Sequence, residues 1–462
     1  MSKRKFDFAM LATIFTLAWP TMLEELMQTA VQYIDTAMVG SLGTEATAAV
    51  GSTGTVNWLI LGVVGAVGVG FLANISQANG SGNKKLAKQL SGQSVTVTFV
   101  LGIAFTLLLT GISRLVPIWM KVDPSIQDIA GTYFLIIYLP MLFRTATMIF
   151  GTVLRSIGDT RTPMNVGIVV NIVNVVLNFL LIYPSRVISL FGIKIKMIGA
   201  GLGIIGAGAA SALSFVVGGI LITIALYGHK EISPKGESLI PDMNLLKPCI
   251  RISVPNMFQR FGTSMGYVIF AAMINSLGGA STAAHTIANT VESAFYIPGW
   301  GMQAAAATLA GNSLGAKDDN SLKSLGNTIV PFEIFLMVIC GFLLFVFARP
   351  LVMIFSKDEE VITLSTTVLK MVACSEPFYG VPIVVEGLMQ GLGKTIEPLI
   401  FNIFGMWGIR ILGTYITTVL MPYGLIAAWA CMIGHNVILF FLFGYVFITG
   451  KWSGTTNSTA KA

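Results

Sequence analysis

Apolar runs near 20 residues long recur along this chain, separated by short polar turns. At about 1.5 Å rise per residue, each is long enough as a helix to cross roughly 30 Å of hydrocarbon. The pattern predicts about twelve transmembrane helices, near 10–39, 46–75, 93–113, 127–150, 163–184, 197–227, 248–274, 281–310, 325–348, 361–390, 396–420 and 423–449. Outer-membrane strands would instead appear as segments of roughly ten residues with alternating polarity. No such segments are present.

The polar punctuation between these runs is written twice, at a constant offset of 235 residues. Pro20 recurs as Pro255, Ser41-Leu42-Gly43 as Ser276-Leu277-Gly278, Gly80 as Gly315, Asp123 as Asp358, and Gly158, Thr160 and Pro163 as Gly393, Thr395 and Pro398. Six helices per repeat is an even number, so the repeats run parallel. The one long polar stretch, Gly228 to Lys247, falls between the sixth and seventh spans, where a linker is expected. The expected fold is all-α and polytopic. Two pseudo-symmetric six-helix lobes, residues 1–227 and 248–462, are joined by a cytoplasmic linker at 228–247 and frame a site between them.

Composition agrees with a membrane solvent. With 54% hydrophobic and 11% charged residues, and a mean hydropathy of +0.80, the chain has too little charge to cover a soluble surface. One set of loops carries Lys3, Arg4, Lys5, Lys84, Lys85, Lys88, Arg155, Arg161, Lys230, Lys235, Lys247, Lys317, Lys323, Lys394 and Lys451. The opposite set carries about half as many: Arg114, Lys121, Arg186, Lys194, Lys196, Arg349 and Lys357. The positive-inside rule places both termini in the cytoplasm of a multi-pass cell-membrane protein. The net charge of +7 follows from this asymmetry and points to no nucleic-acid partner. Lys3-Arg4-Lys5 opens a retained span, since no small-residue cleavage site follows. Cys249, Cys340, Cys374 and Cys431 show neither disulfide nor zinc spacing. Gly201-Leu-Gly203-Ile-Ile-Gly206 matches a dinucleotide fingerprint literally. No strand is expected before it, so it reads as small residues for close helix contact.

Ionisable groups inside spans mark candidate function, because hydrocarbon makes them costly. Glu24, Gln28, Gln32 and Asp35 fall at i, i+4, i+8 and i+11, one stripe of the first helix, with Thr21 at its edge. Asn171, Asn174 and Asn178 form a stripe on the fifth span. An aspartate beside such amides either holds sodium through oxygen ligands or carries a proton, and the sequence leaves both open. In the second lobe, His285, Asn289, Glu292 and Tyr296 stripe the eighth span, and Asn256, Arg260, Thr263 and Tyr267 the seventh. Arg260 and Glu292 are expected to pair across adjacent helices. Glu333, Lys370, Glu376, Glu386 and Arg410 lie nearer span ends, where snorkelling or pairing is the default. The stripe residues Glu24, Gln28, Gln32, Asn171, Arg260, His285, Asn289, Glu292 and Tyr296 are candidates for lining a substrate cavity. Pro20 is a plausible bend in the first helix.

Four segments then resemble those of the multidrug and toxic compound extrusion (MATE) transporters. They are QTAVQYIDTAMVGSLGTEATAAVG at 28–51, LRSIGDTRTP at 154–163, NVVLNFLLI at 174–182 and AAHTIANTVESAFYIPGWGMQAAAATLAGNSLGA at 283–316. The resemblance covers nearly the whole chain. It implies two six-helix lobes around a V-shaped cavity and export of organic, often cationic compounds in exchange for H+ or Na+. It implies no enzymatic activity and no cofactor beyond the coupling ion, and a monomer is expected. The family's first-lobe cation site matches Asp35, Asn174 and Asn178, and its sixth-helix hydroxyl matches Ser211. The chain departs from DinF-type members in having Asn178 where they have aspartate. It departs from NorM-type members in having Thr263 and Tyr379 where they have second-lobe acids. The alternative is a lipid flippase of the related oligosaccharide-lipid group. That reading expects a strongly basic cavity, which these stripes lack.

Overall fold

The computed structural model describes residues 6–453 apart from 121, 191–192 and 422; the side chains of 44, 52–55, 187–190 and 193–196 are also outside the description. The basic residues Lys3, Arg4, Lys5 and Lys121 therefore lie outside the described residues, as do the side chains of Lys194 and Lys196.

The first half runs α1 (Phe8–Gly40), α2 (Thr44–Gly80), α3 (Lys84–Gly111), the short α4 (Leu115–Trp119), α5 (Gln127–Tyr138), α6 (Met141–Ser156), α7 (Arg161–Leu181) and α8 (Gly203–Gly228). The second runs α9 (Met243–Asn275), α10 (Gly279–Phe295), α11 (Ile297–Gly315), α12 (Asp319–Met353), α13 (Glu359–Ala373), α14 (Glu376–Gly391), α15 (Ile396–Ile403), α16 (Leu412–Thr414) and α17 (Leu425–Ile448). Two π-helical stretches, Phe404–Ile411 and Tyr415–Leu420, flank α16 and continue the α15 rod. Among the described residues, seven helices are long and apolar enough to cross a membrane. The count rises to nine when α5–α6, bent by 46°, and α13–α14, bent by 56°, are each one span. The α1, α9 and α10–α11 rods, which carry polar stripes, lie outside that count. The chain is an all-α polytopic membrane protein with one small addition. An antiparallel hairpin, β1 (Pro184–Leu190) and β2 (Ile193–Ala200), links α7 to α8.

That hairpin corrects one expectation, since a strand does precede Gly201. It pairs with its neighbour rather than entering a parallel sheet, so no nucleotide-binding unit is built. Gly206 instead lets α8 close on α7. A Cβ there would lie 2.4 Å from the Leu181 carbonyl oxygen.

The sequence repeat reappears as backbone chemistry. Asp7 and Asp242 each cap the first helix of a half, Asn83 caps α3, and Asp318, its counterpart at the 235-residue offset, caps α12. Left-handed residues recur in the same register: Gly43 (φ 117°) with Gly278 (106°), Gly82 (72°) with Lys317 (55°), and Gly158 (91°) with Gly393 (76°). Lys317 is the one non-glycine residue with positive φ among the described residues, and it stands where the first half has glycine.

The two halves exchange their first helices at one end. Ile14 and Ala18 of α1 are buried in a cluster with Met302, Leu325, Val384 and Phe443, all from the second half. Met38 and Val39, at the far end of α1, sit instead in a first-half cluster with Tyr133, Ile182 and Ile204. Likewise, Leu246 and Cys249 of α9 are buried among first-half residues, while Phe270 and Ile274 join a second-half core. Asp7 fastens the exchanged start of α1: Ser324 Oγ on α12 donates to its Oδ2 at 2.9 Å, and its own amide donates to Thr328 Oγ1 at 3.2 Å. The Met10 amide and the Ser324 hydroxyl hold the Asp7 carboxyl below the usual aspartate range.

Close helix contact at Gly206 gives a stability test. Gly206→Ala is expected to cost about 1–3 kcal/mol and lower the melting temperature in detergent, since backbone must move. Gly444→Ala on α17, where a Cβ meets nothing within 4 Å, is expected to leave it unchanged or raise it.

Candidate cation site and the inter-half cavity

Asp35, Asn178, Asn174 and Ser211 form one continuous hydrogen-bonded line. The two N–H bonds of Asn178 Nδ2 point to Asp35 Oδ1 at 2.5 Å and to Asn174 Oδ1 at 3.0 Å. Asn174 Nδ2 donates onward to Ser211 Oγ at 3.2 Å. Helical spacing explains the line: Asn174 and Asn178 are one turn apart on α7, and α8 brings Ser211 alongside. Both asparagines are buried, whereas Asp35 is half-buried. Among the described residues, Asn178 Oδ1 has no hydrogen-bond partner, although it is buried. An orphaned carbonyl oxygen beside a carboxylate is an acceptor for either a cation or a carboxyl proton. Tyr133 of α5 lies close enough to interact electrostatically with Asp35. Composition alone gave no reason to single it out.

The other stripe residues divide by environment. Gln28 and Gln32 of α1 and Asn289 of α10 are exposed. Tyr33 of α1 reaches the second half, donating to the Thr290 carbonyl of α10 at 3.4 Å. Glu24 is instead engaged in an ion pair with Arg155 Nη2 of α6 at 2.5 Å. Gly167, on α7 one turn before the half-buried Asn171, approaches the Glu24 side chain. Pro20 is buried, and α1 is helical through it.

In the second half the expected Arg260–Glu292 pair does not form. Arg260 Nε donates to Asn256 Oδ1 at 3.0 Å, and its Cβ faces Gly62 on α2. The α9 helix turns Arg260 toward α2 and the charge of Glu386. Glu292 points the other way. It is 1% exposed, accepts from the Tyr296 hydroxyl, and has Arg410 and Glu376 as charged neighbours. The hydroxyl-bearing ring of Tyr296 packs on Tyr379 with centroids 4.4 Å apart. His285 lies between the rings of Phe270 and Trp429, and its Nδ1 has no hydrogen-bond partner among the described residues.

Snorkelling also fails as a description of the second-half acids. Glu333 and Glu376 are 0% and 1% exposed, and none of their four carboxyl oxygens has a hydrogen-bond partner among the described residues. Glu386 is held by the side-chain amides of Gln259, Gln390 and Asn402. Arg410, 4% exposed, stacks its guanidinium 4.2 Å from the Phe270 centroid and 4.8 Å from that of Tyr267. Distance along a helix does not reveal depth when the rod is bent, as α13–α14 is, or π-helical, as at Phe404–Ile411. Among the described residues no group of three or more His, Cys, Asp or Glu side chains is placed to hold a metal ion.

The MatE family model matches the chain twice, over residues 20–180 and 255–416, and together these cover more than half of it. The chain belongs to the MatE family. It is therefore a membrane transporter and not an enzyme. Among its relatives, a Thermotoga maritima protein described as probable multidrug resistance protein NorM is 27% identical over 439 residues, spanning 95% of this chain and 92% of that protein. A Bacillus subtilis protein described as probable multidrug resistance protein YoeA is 24% identical, spanning 92% and 91%. In fold the chain is similar to a MOP superfamily transporter from Pyrococcus furiosus, with a TM-score of 0.88 at 20% identity and 96% of both chains covered. The MatE match restarts at residue 255, the position that carries Pro20 across the repeat to Pro255.

Two stability experiments follow from the partly buried pair and the unpartnered acid. Arg155→Met is expected to destabilise by about 3 kcal/mol because it strands the Glu24 carboxylate; the Glu24→Gln/Arg155→Met double variant is expected to recover much of that loss. Glu333→Met is expected to raise the melting temperature, since it replaces a buried, unpartnered carboxyl with an apolar group of similar length.

Proposed function

We propose that this transporter is a secondary antiporter of the cell membrane, exporting organic, often cationic compounds in exchange for H+ or Na+. The observation that carries the reading is the Asp35–Asn178–Asn174–Ser211 line with its orphaned Asn178 oxygen. The multidrug-resistance descriptions of relatives spanning most of the chain support the substrate class.

The site residues act in a definite order. Asp35 supplies the only carboxylate of the line, Asn178 steadies it with one N–H, and Asn174 fixes the Asn178 amide through the other. Ser211 holds Asn174 in turn. With sodium as the coupling ion, Asp35 and the Asn178 oxygen supply hard oxygen ligands; with a proton, Asp35 carries it and the same oxygen accepts from the carboxyl. Either form removes the net charge of Asp35 and so changes what the adjoining cavity attracts. Gln28 and Gln32, on the same stripe, face that cavity and contact the exported molecule. Cation occupancy at Asp35 and drug occupancy between the halves then exclude each other. Each charge moving inward down 100 mV supplies about 2.3 kcal/mol toward export.

The assay is drug export from proteoliposomes under imposed H+ and Na+ gradients, measured separately. Asp35→Asn is expected to abolish gradient-driven export, and Asn178→Ala to lower it about tenfold or more through loss of a charge-assisted hydrogen bond. Ser211→Ala, one step removed, is expected to have a smaller effect. Full gradient-driven export by Asp35→Asn would overturn the assignment.

A further inference from the structure

The halves are fastened at the end bearing the basic loops, and the fastening obeys the sequence repeat. Gln77 of α2 donates its side-chain amide to the carbonyl of Gly391, the last residue of α14, at 2.9 Å. Asn312 of α11 donates its own to the carbonyl of Ser156, the last residue of α6, at 3.2 Å. The offset of 235 that relates Gln77 to Asn312 also relates Ser156 to Gly391. Each amide thus crosses to the opposite half and satisfies a helix-end carbonyl that its own helix leaves unpaired.

The backbones meet by the same symmetry. A Cβ on Gly80 would lie 2.0 Å from the Asn312 carbonyl oxygen, and one on Gly315 would lie 1.9 Å from that of Gln77. Asn79 adds a bond from its Nδ2 to Asn312 Oδ1 at 2.7 Å, and Thr308 one to the Arg155 carbonyl at 3.2 Å. At the opposite end Gln32, Tyr33 and Asn289 are exposed. The described hydrogen bonds between the halves concentrate at the basic end, and at the other the Tyr33 hydroxyl reaches the Thr290 carbonyl at 3.4 Å.

We propose that Gln77 and Asn312 are a pseudo-twofold latch whose two amides hold the basic end shut and release the opposite half's helix-end carbonyls whenever the transporter opens to that side. They are positioning residues and touch neither ion nor drug. Neutral amide–carbonyl bonds suit the task, because water replaces them at modest cost when the end opens. The inference rests on the antiporter reading above, and its first test reads conformation with neither drug nor gradient present.

With Cys249, Cys340, Cys374 and Cys431 replaced, Thr308→Cys places a thiol inside the closed contact, where Thr308 is 2% exposed. Its rate of alkylation by a polar maleimide in purified protein reports opening. Gln77→Leu and Asn312→Leu are each expected to raise that rate about fivefold, and the double variant more than either. The exchange Gln77→Asn with Asn312→Gln is expected to return the rate toward that of the parent. An unchanged rate in the folded double variant would overturn the latch. Should the leucine variants not fold, Asn79→Cys with Asn312→Cys supplies the second arm: oxidation is expected to arrest drug export and reduction to restore it. Undiminished export by the cross-linked protein would overturn the proposal equally.

Discussion

One carboxylate on a shared helix organises this molecule. Asp35 sits near the end of α1 that belongs to the first-half core, while Ile14 and Ala18, toward the start of the same helix, lie in the second-half core. A charge in a membrane-embedded bundle needs partners, and the single side-chain donor to Asp35 among the described residues is Asn178. Any change in charge at Asp35 therefore alters the hold of α7 on the helix that also enters the other half. The Asp7 cap ties the start of α1 to Ser324 and Thr328, so the coupling has a fixed anchor as well as a variable end.

The internal repeat supplies scaffold rather than chemistry. Helix caps at Asp7 and Asp242 and left-handed turns at Gly43 and Gly278 recur because each half must end and restart helices at the same places. Substitution at these positions is limited by backbone geometry, which keeps the register visible. The ionisable groups follow a different rule. The first half pairs one carboxylate with neutral amides; the second buries Glu292, Glu333 and Glu376, with Glu292 on the Tyr296 hydroxyl and Arg410 stacked on two rings. Two similar halves thus have unlike interiors.

What the chain revealed before its structure follows from the same physics. Span order, the repeated turn glycines and the faces shared by Asp35 and by Asn174 and Asn178 were legible, because length, the repeat and helical periodicity determine them. The 3.6-residue wheel shows which side chains share a face but not which neighbour that face meets. That is why Arg260 appeared to be a partner for Glu292, when α9 in fact turns it toward Gly62 and Glu386. Depth was equally hidden. Glu333 and Glu376 looked like span-end residues, but the bend between α13 and α14 carries Glu376 into the interior. Arg144, inside the span near 127–150, was not singled out from the chain, and its bond to Asn57 Oδ1 at 2.7 Å is visible only once α2 and α6 are seen to pack together.

On this reading one group, Asp35, answers to both coupling ion and exported molecule. Equilibrium binding of a fluorescent organic cation to the purified transporter, titrated separately against pH and Na+, tests it most directly. Affinity is expected to fall as one of the two ions rises, and this dependence to disappear in Asp35→Asn. Affinity indifferent to both ions in the unmodified protein, or an ion dependence that survives intact in Asp35→Asn, would contradict it.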